Sequence, residues 1–301
     1  MTVDSQQAAA DAGSALTRRS LDHFVSVVGD IETGAAMYQR LGFRVMPTME
    51  HVEIGTSNAI VQFQHTYLEL IGDIAFSRTE QISTMMGPWQ AIGEYVYWQT
   101  SFTSARLEDD RERLIKMGMA PEQILNAYRK VRQIGGGWDQ TASRSMYCFN
   151  HAHLTGSLFI SDHARPETIW MPGYTCHPNT AQRVIGMSYV AQDPQADIAY
   201  YAAMLGGEPA LSSPERVAFH TPRGEFFELL SPAAAAEKLP GAQPLQDGCN
   251  VRGAAYTITV ESQERCRLAL RDGGVPSTRA GETIHVAAPF AGGMAITFVP
   301  A

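Results

Sequence analysis

The chain has 301 residues, of which 45% are hydrophobic and 18% are charged, and its formal net charge is −8. This composition is that of a globular protein and excludes disordered and fibrous classes. With 31 acidic against 23 basic residues, no basic surface for nucleic acid is expected. The apolar runs are too short to cross a membrane.

Residues 1–19 carry two acids and lack the apolar segment of a signal peptide, so we expect a flexible tail there. The four cysteines lie far apart without a C-x-x-C pair. This spacing argues against a zinc finger and, in a chain of this size, against a disulfide framework. We therefore expect a cytoplasmic protein with reduced thiols.

The first predicted unit begins with the alternating strand LDHFVSVV, residues 21–28. A helix follows over residues 31–42, because apolar side chains recur at helical spacing and Gly42 is a typical helix end. Three short strands come next, with the sequences FRVMPTM, NAIVQFQ and TYLELIG. The order of elements in this unit is βαβββ.

The same order recurs in the second half of the chain. A shift of 164 residues carries the first strand onto IGMSYVAQ and the helix end LG onto a second LG at 205–206. The sequence FFEL then repeats the YLEL of the first unit. The coincidence of a strand start, a helix end and a final strand indicates an internal repeat.

Two looser copies of the unit fill the remaining chain. The second unit has the strands EYVYWQTSFTS and SLFISDH and a helix over residues 105–118, and the fourth has a helix over 263–274. The fourth unit also has the strands AAYTITVES, ETIHVAAP and GMAITFVP. An insertion at about 119–145 enlarges the second unit, and in it we predict a short helix at 121–130 and a mobile flap at 135–137.

The order and spacing of five short motifs resemble the vicinal oxygen chelate superfamily, and in particular its glyoxalase-like branch. These motifs are LDH at 21–23, LGF at 41–43, GTSN at 55–58, YLEL at 67–70 and HPNTA at 177–181. The resemblance implies an α+β fold in which paired βαβββ units form cupped mixed sheets. We accordingly predict two modules, over residues 20–172 and 177–301.

Metal-using members of this superfamily take ligands from the first and last strands of each unit, usually His or Gln from first strands and Glu from last strands. The resemblance therefore implies that His23 and Glu69 hold a divalent ion, with Fe, Mn, Ni, Zn and Co as candidates. In the second unit Gln99 is the candidate third ligand, although alignment of the helix starts places Tyr97 there. The last strand of that unit, SLFISDH, offers no Glu.

The chemistry of His23 and Glu69 agrees with this implication, because an imidazole nitrogen and a carboxylate oxygen suit a divalent cation. A carboxylate among apolar neighbours needs a partner, since burying an unpaired charge costs several kcal/mol. An alternative needs no metal: the two side chains bond each other or the substrate. In the second unit His151 or His153 could replace the missing Glu.

Five side chains are candidates for binding the substrate. Asn58 and His51 lie around GTSN, although this motif is equally typical of a turn. Tyr97 and Trp98 belong to an aromatic run that could line a pocket for a flat or ring-bearing substrate. His177, in a predicted linker, is the last of them.

The second module is not expected to hold a metal. The repeat shift places Met187 where His23 stands in the first module, while Glu228 takes the place of Glu69. We expect this module to be structural or to contribute to a homodimer.

The predicted function is that of a small-molecule enzyme with His23 and Glu69 as catalytic residues. They would bind a metal that polarises vicinal oxygens of the substrate, in a lyase or isomerase reaction, and Glu69 could alternatively act as the general base. A metal-free protein that binds or gives resistance to a small compound is the alternative from another class. An extradiol-type dioxygenase, which needs two histidines and one carboxylate, is the third. No nucleotide cofactor is expected.

Overall fold

The computed structural model describes residues 16–51, 56–72, 95–246 and 248–301. Most of the predicted tail, residues 1–15, and the start of the GTSN motif therefore lie outside the described residues. The end of the predicted tail is packed against the protein. Arg19 is buried and donates a hydrogen bond of 2.8 Å from Nη1 to the carbonyl of Met204.

The first eight-stranded sheet has the order β2-β3-β4-β1-β5-β10-β9-β6. The strands of the first half of the chain are β1 (Leu21–Val28), β2 (Met49–Glu50), β3 (Ser57–Gln62), β4 (Tyr67–Gly72), β5 (Tyr95–Thr103), β6 (Leu125–Ala127), β7 (Lys130–Arg132), β8 (Trp138–Gln140), β9 (Ser143–Cys148) and β10 (Leu158–His163). Strands β7 and β8 pair only with each other. The helices are α1 (Ile31–Arg40) and α2 (Leu107–Lys116).

The second sheet repeats this arrangement, with the order β12-β13-β14-β11-β15-β18-β17-β16. Its strands are β11 (Ala181–Ala191), β12 (Leu211–Ser212), β13 (Arg216–His220), β14 (Phe226–Leu230), β15 (Val251–Val260), β16 (Thr278–Ala280), β17 (Thr283–Val286) and β18 (Ala295–Pro300). The helices are α3 (Ile198–Leu205), α4 (Pro232–Lys238) and α5 (Gln263–Asp272). Two matching mixed sheets with few helices confirm the predicted α+β fold of two modules.

Local signals explain where the first helix begins and ends. Asp30 accepts a hydrogen bond of 2.6 Å from the backbone N–H of Thr33, which satisfies a free donor of the first turn. Gly42 follows the helix with a φ of 82°, a left-handed conformation that glycine adopts without strain. A Cβ at this position would also come within 2.8 Å of the Cβ of Asn179. The helix end is therefore fixed against the segment that joins the two sheets.

The prediction of a helix over residues 121–130 is wrong. This segment contains β6, which pairs with β9 and extends the edge of the first sheet, and it ends at the start of β7. Pairing with an existing sheet edge prevails over a weak local preference. The glycines at 135–137 form the turn between β7 and β8, in which Gly136 donates to the carbonyl of Gln133 over 3.0 Å. The strand predicted from FRVMPTM is likewise reduced to β2.

Helix α4 was not predicted from the sequence, and it fills the face of the second sheet that corresponds to the open face of the first. Ala234, Ala235 and Leu239 pack there against Val190 and Leu230. The second sheet therefore buries its inner face against its own chain.

The two sheets share one apolar core. Phe24 of β1 contacts Tyr256 of β15 edge-on at 5.2 Å, and Tyr97 of β5 contacts both Tyr189 and Tyr256. Gly253 lies against the Tyr97 ring, where a Cβ would come within 2.2 Å of a ring carbon. Because aromatic rings fill the space between the sheets, the outer side of the first sheet is fixed and its inner side is left for a site.

Stability between pH 6.5 and 4 is expected to depend on His177. This buried imidazole accepts from the N–H of Arg44 at Nδ1 over 3.0 Å and donates from Nε2 to the carbonyl of Gln62 over 2.7 Å. Burial lowers its pKa to about 4. Between pH 6.5 and pH 4 the unfolded chain therefore binds a proton at His177 that the folded chain does not bind. The free energy of unfolding falls as the pH is lowered through this range.

We predict that between pH 7 and pH 4 the free energy of unfolding of wild type falls by up to about 3 kcal/mol more than that of His177→Gln. Urea unfolding at several pH values measures the difference. His151→Gln, at an exposed histidine, is the control and should follow wild type. Parallel profiles for wild type and His177→Gln would contradict the prediction.

Candidate functional site

The inner face of the first sheet holds a cavity of about 90 Å³, which we call the cup. Its polar lining residues are His23, His51, Thr56, Asn58, Gln62, Glu69, Arg129, Thr141, Ser143, Ser145 and His163. Its aromatic lining residues are Tyr67, Trp98, Tyr147 and Phe159. The insertion covers one side, because Val131 of β7 packs against Ile60 and Tyr67. The cup therefore combines a polar floor with flat apolar walls, as small-molecule sites commonly do.

A β-bulge at the start of β1 brings the side chains of two consecutive residues, Asp22 and His23, into contact. Leu21 lies opposite Phe102 and His23 opposite Ser101, so Asp22 is an extra residue in the strand. Its carboxylate can therefore accept a hydrogen bond of 2.6 Å from His23 Nδ1 on the same strand.

The same oxygen of Asp22 accepts from His163 Nε2 of β10 over 2.8 Å. Burial by itself would raise the pKa of Asp22, but the charge and hydrogen bond of His163, and then those of His23, hold it well below its usual range. For His163 burial lowers the pKa, but the charge and hydrogen bond of Asp22, together with the charges of Asp162 and Glu69, outweigh burial and raise it. Asp22 is therefore an ionised carboxylate that fixes both imidazoles.

His23 presents its remaining nitrogen, Nε2, to Glu69. The distance from Nε2 to Glu69 Oε2 is 3.7 Å, and neither atom makes a hydrogen bond within the described parts of the chain. Tyr67 stacks on the His23 ring at 4.3 Å and Phe159 packs edge-on at 5.0 Å. The ring orientation is thus held by one hydrogen bond and two aromatic contacts.

Glu69 belongs to a buried chain of hydrogen bonds that reaches the insertion. Its Oε1 accepts from Asn58 Nδ2 over 2.7 Å, and Asn58 Oδ1 accepts from Arg129 Nε over 2.7 Å. His51 lies beside this chain, with Nε2 at 3.2 Å from Asn58 Nδ2 and Nδ1 at 3.0 Å from the Thr56 hydroxyl. Asn58 therefore separates a carboxylate from a guanidinium and satisfies both.

The predicted site residues that line the cup together are His23, His51, Asn58, Glu69 and Trp98. Three others do not line it: Tyr97, Gln99 and His177. A second bulge explains why Trp98, and not Tyr97, faces the cup. Val25 lies opposite Gln99 and Ser26 opposite Tyr97, so Trp98 is the extra residue.

Tyr97 and His177 have structural partners elsewhere. The Tyr97 hydroxyl bonds the hydroxyl of Thr100 at 2.5 Å on the side that faces the second sheet. His177 binds backbone groups near the joining segment. His153, considered as a substitute ligand, instead lies 2.5 Å from a carboxylate oxygen of Asp197.

Gln99 is fully buried, and neither atom of its amide has a hydrogen-bond partner among the described residues. Its register opposite Val25, a cup-lining residue, places it on the inner face of the sheet. Such an amide is costly to bury, and a ligand in the cup would relieve the cost.

Sequence reasoning missed three charged or titratable residues: His163 and Arg129, which line the cup, and Asp22, which bonds His23 and His163. Asp22 was overlooked because strict alternation assigns it to the opposite face from His23. His163 ends the strand SLFISDH, beyond the position at which a ligand was sought. Arg129 lies in a segment predicted as a helix, with no pattern linking it to the cup.

The second module keeps the carboxylate but not the site. Glu228 accepts from Ser188 and from Arg216, each over 2.7 Å. The strand register aligns Gly186, not Met187, with His23, because Gly186 lies opposite Phe226 as His23 lies opposite Tyr67. The Phe226 ring lies 2.0 Å from where a Cβ at 186 would be.

The predicted place of Met187 is thus wrong by one residue. Met187 is instead fully buried in the shared apolar core.

The paired sheets and the polar floor of the cup define a protein of the vicinal oxygen chelate superfamily. The sequence model of the glyoxalase-like domain matches residues 21–205, more than half of the chain, and the chain belongs to this family. No curated protein matches it in sequence. Within the described residues, no helix is long and apolar enough to span a membrane.

Solved structures show the same fold at low sequence identity. A hypothetical protein from Staphylococcus aureus has a TM-score of 0.66 at 9% identity, over 93% of this chain and 99% of that one. A mutant of 4-hydroxymandelate synthase from Streptomyces coelicolor has a TM-score of 0.55 at 10% identity, over 94% and 92%. A fusion of a xylose isomerase-like TIM barrel with 4-hydroxyphenylpyruvate dioxygenase has 0.52 at 11%, over 95% of this chain and 49% of the fusion. These similarities concern the fold alone.

Replacing Asn58 by Leu is expected to lower the free energy of unfolding by about 2–4 kcal/mol, because it leaves a buried carboxylate and a buried guanidinium without their shared partner. Urea unfolding at neutral pH measures the loss. Asn126→Leu makes the same chemical change at an exposed position of β6 and should cost little. Equal losses in the two variants would show that Asn58 does not hold the two charges.

Proposed function

We propose that the first module is a metal-dependent lyase or isomerase for a small substrate with vicinal oxygens, and that His23 and Glu69 hold the metal. One observation supports this proposal. Two atoms that can bind a metal, His23 Nε2 and Glu69 Oε2, make no hydrogen bond to any described residue and face each other across 3.7 Å. The opposite atom of each side chain is already engaged, by Asp22 and by Asn58 respectively.

The donor set fits a divalent cation. Ligand nitrogen and oxygen atoms lie about 2.1 Å from such an ion, so two ligands of one ion are separated by about 3–4 Å. The separation of His23 Nε2 and Glu69 Oε2 meets this requirement without rearrangement. Asp22 supports the imidazole as carboxylates support metal-binding histidines, by fixing the tautomer that leaves Nε2 unprotonated. Gln99 does not line the cup, but it is buried on the same face of the sheet without a hydrogen-bond partner among the described residues, and we propose it as the third ligand.

A bound divalent ion would supply Lewis acidity, which polarises substrate oxygens. The chain supplies the other requirements. In its alternative role, without a bond to the ion, Glu69 would accept a proton from a substrate carbon or oxygen at Oε2. Trp98, Tyr147 and Phe159 form stacked walls, with Tyr147 at 5.6 Å from Trp98 and 4.8 Å from Phe159. These walls exclude water and support the proposal of a flat, aromatic substrate.

The proposal also includes a homodimer and a cytoplasmic location. All four cysteines are free, and burial raises the pKa of Cys148 to about 11 and of Cys266 to about 12, which makes these thiols unreactive. Free thiols support a reducing compartment. The second module, which contributes no residue to the cup, is the part that we propose for the homodimer.

Metal content tests the proposal directly. We expect protein purified without a histidine tag to bind about one divalent ion per chain, and Glu69→Gln to lose at least a hundredfold in affinity, because an anionic ligand is removed. Elemental analysis and calorimetric titration with Mn, Fe, Co, Ni and Zn measure both. Glu228→Gln, the matched change in the second module, should retain wild-type affinity.

Wild type that binds none of these metals would refute the metal site and favour a metal-free binding protein. Loss of metal in Glu228→Gln but not in Glu69→Gln would show that the metal site lies in the second module.

His163 supports a second candidate, a dioxygenase. The ligating atoms of Asp22, His23 and His163 lie within 4.8 Å of one another, and together they are two histidines and one carboxylate. This is the donor composition of non-haem iron oxygenases. In the structure these three groups bond one another at 2.6 and 2.8 Å, which favours a supporting role for Asp22 in the first proposal.

His163→Gln distinguishes the two candidates. If His163 only holds Asp22, the variant should keep its metal with an affinity lowered by about tenfold to a hundredfold. If His163 is a ligand, iron should be lost, together with any oxygen consumption that wild type shows on a catechol. Ser143→Ala, which removes only the 2.9 Å partner of His163 Nδ1, is the control and should keep its metal.

A further inference from the structure

We propose that Arg129, delivered by the insertion, binds a carboxylate of the substrate, so that the cup is specific for small organic acids. This inference rests on the proposed function for the place of the substrate, but it concerns a different part of the cup. It follows from three features of Arg129: its burial, the way its hydrogen bonds are used, and the charge balance around it.

Arg129 is 4% exposed and lines the cup. It forms no ion pair with any residue in the described ranges. Its nearest electrostatic partner, Glu69, is reached only through Asn58. Burial lowers its pKa to about 10, with Glu69 opposing the change, so the guanidinium stays charged at neutral pH. A buried cation without an anion in contact is costly, and proteins retain such groups mainly at functional sites.

The hydrogen bonds of Arg129 leave one edge of the guanidinium for a ligand. Nε donates to Asn58 Oδ1 over 2.7 Å, and Nη2 makes only a long bond of 3.4 Å to the carbonyl of Pro47. Nη1 has no hydrogen bond to any described residue. The pair of terminal nitrogens therefore offers the parallel donors that a planar carboxylate accepts best.

The backbone around Arg129 is fixed before any ligand binds. Its N–H donates to the Thr141 hydroxyl over 3.0 Å, and Arg129 itself forms an isolated β-bridge with His51. The backbone N–H and the Nε of Arg129 are thus both held by hydrogen bonds. This fixes the position of the guanidinium and reduces the entropy lost when a ligand binds.

The charge balance of the cup favours an anionic substrate. Glu69 and Arg129, which line the cup, carry opposite charges, and Asp22 beneath His23 carries a second negative charge. The divalent ion of the proposed function, on which this step also rests, would leave a net positive charge. A carboxylate at Arg129 would neutralise it. We choose a carboxylate over a phosphate because only one edge of the guanidinium is open, and a planar carboxylate accepts from both nitrogens of that edge.

Small anions test the inference without knowledge of the substrate. Thermal unfolding is measured with sodium formate and sodium benzoate, and with formamide and benzamide as neutral counterparts, at constant ionic strength. In wild type we expect each acid to raise the Tm by about 2–4 °C more than its amide at saturating concentration. In Arg129→Gln this difference should fall below about 1 °C.

Two variants make the result specific. Arg129→Lys keeps the charge but loses the planar fork, and we expect about a tenfold weaker binding of benzoate than in wild type. Arg216→Gln removes an arginine of the second module that stands at the strand position of Asn58 and is paired with Glu228. It should keep the full preference for acids. If Arg129→Gln fails to fold, the comparison of Arg129→Lys with wild type decides the question.

Equal effects of acids and amides on wild type, or a preference that survives in Arg129→Gln, would overturn the inference. So would benzoate binding in Arg129→Lys as tight as in wild type. If inorganic phosphate raises the Tm more than formate does, and this rise depends on Arg129, the group bound by Arg129 is a phosphate ester and not a carboxylate. The measurement is made with and without added metal. Failure of the metal proposal is then seen as missing metal, and failure of this inference as missing acid preference.

Discussion

One buried carboxylate organises the first module. Asp22 accepts hydrogen bonds from His23 on the first strand of one unit and from His163 on the last strand of the next. A single group thereby joins the two units at the floor of their shared sheet and sets the orientation of both rings. The remaining nitrogen of His23 is left facing Glu69, and the rest of the cup is arranged around this pair.

The contrast between the two modules shows that the fold does not by itself provide a site. Both sheets have the same strand order and both keep a glutamate on the corresponding strand. In the second module that glutamate is paired with Arg216, the position of the missing histidine is Gly186, and helix α4 packs onto the inner face. In the first module the same face is open and its charged groups meet through Asn58. The difference lies in a few side chains and one added helix.

Sequence patterns were sufficient for the architecture because alternation and helical spacing indicate which side chains are buried. The internal repeat then extended the same order of elements to the second half of the chain. The patterns were also sufficient to bring His23 and Glu69 into one cup, because the first and fourth strands of the unit pair directly. They failed where the chain departs from regularity. The bulge at Asp22 and the bulge at Trp98 each change which face a residue occupies. The match of Met187 to His23 was displaced because the stretch from Gly186 to Gly206 is one residue longer than that from His23 to Gly42. Arg129 and His163 reach the cup through tertiary contacts that local patterns do not encode.

The insertion combines two tasks in one continuous segment: it covers the cup and it brings the buried guanidinium. The floor with Asp22, His23 and Glu69 belongs entirely to other strands. Under the two proposals, reaction chemistry and ligand choice would be encoded in separate stretches of the chain. Exchange of this one segment between related proteins offers a route by which selection, or an engineer, could alter what is recognised while leaving the chemistry untouched.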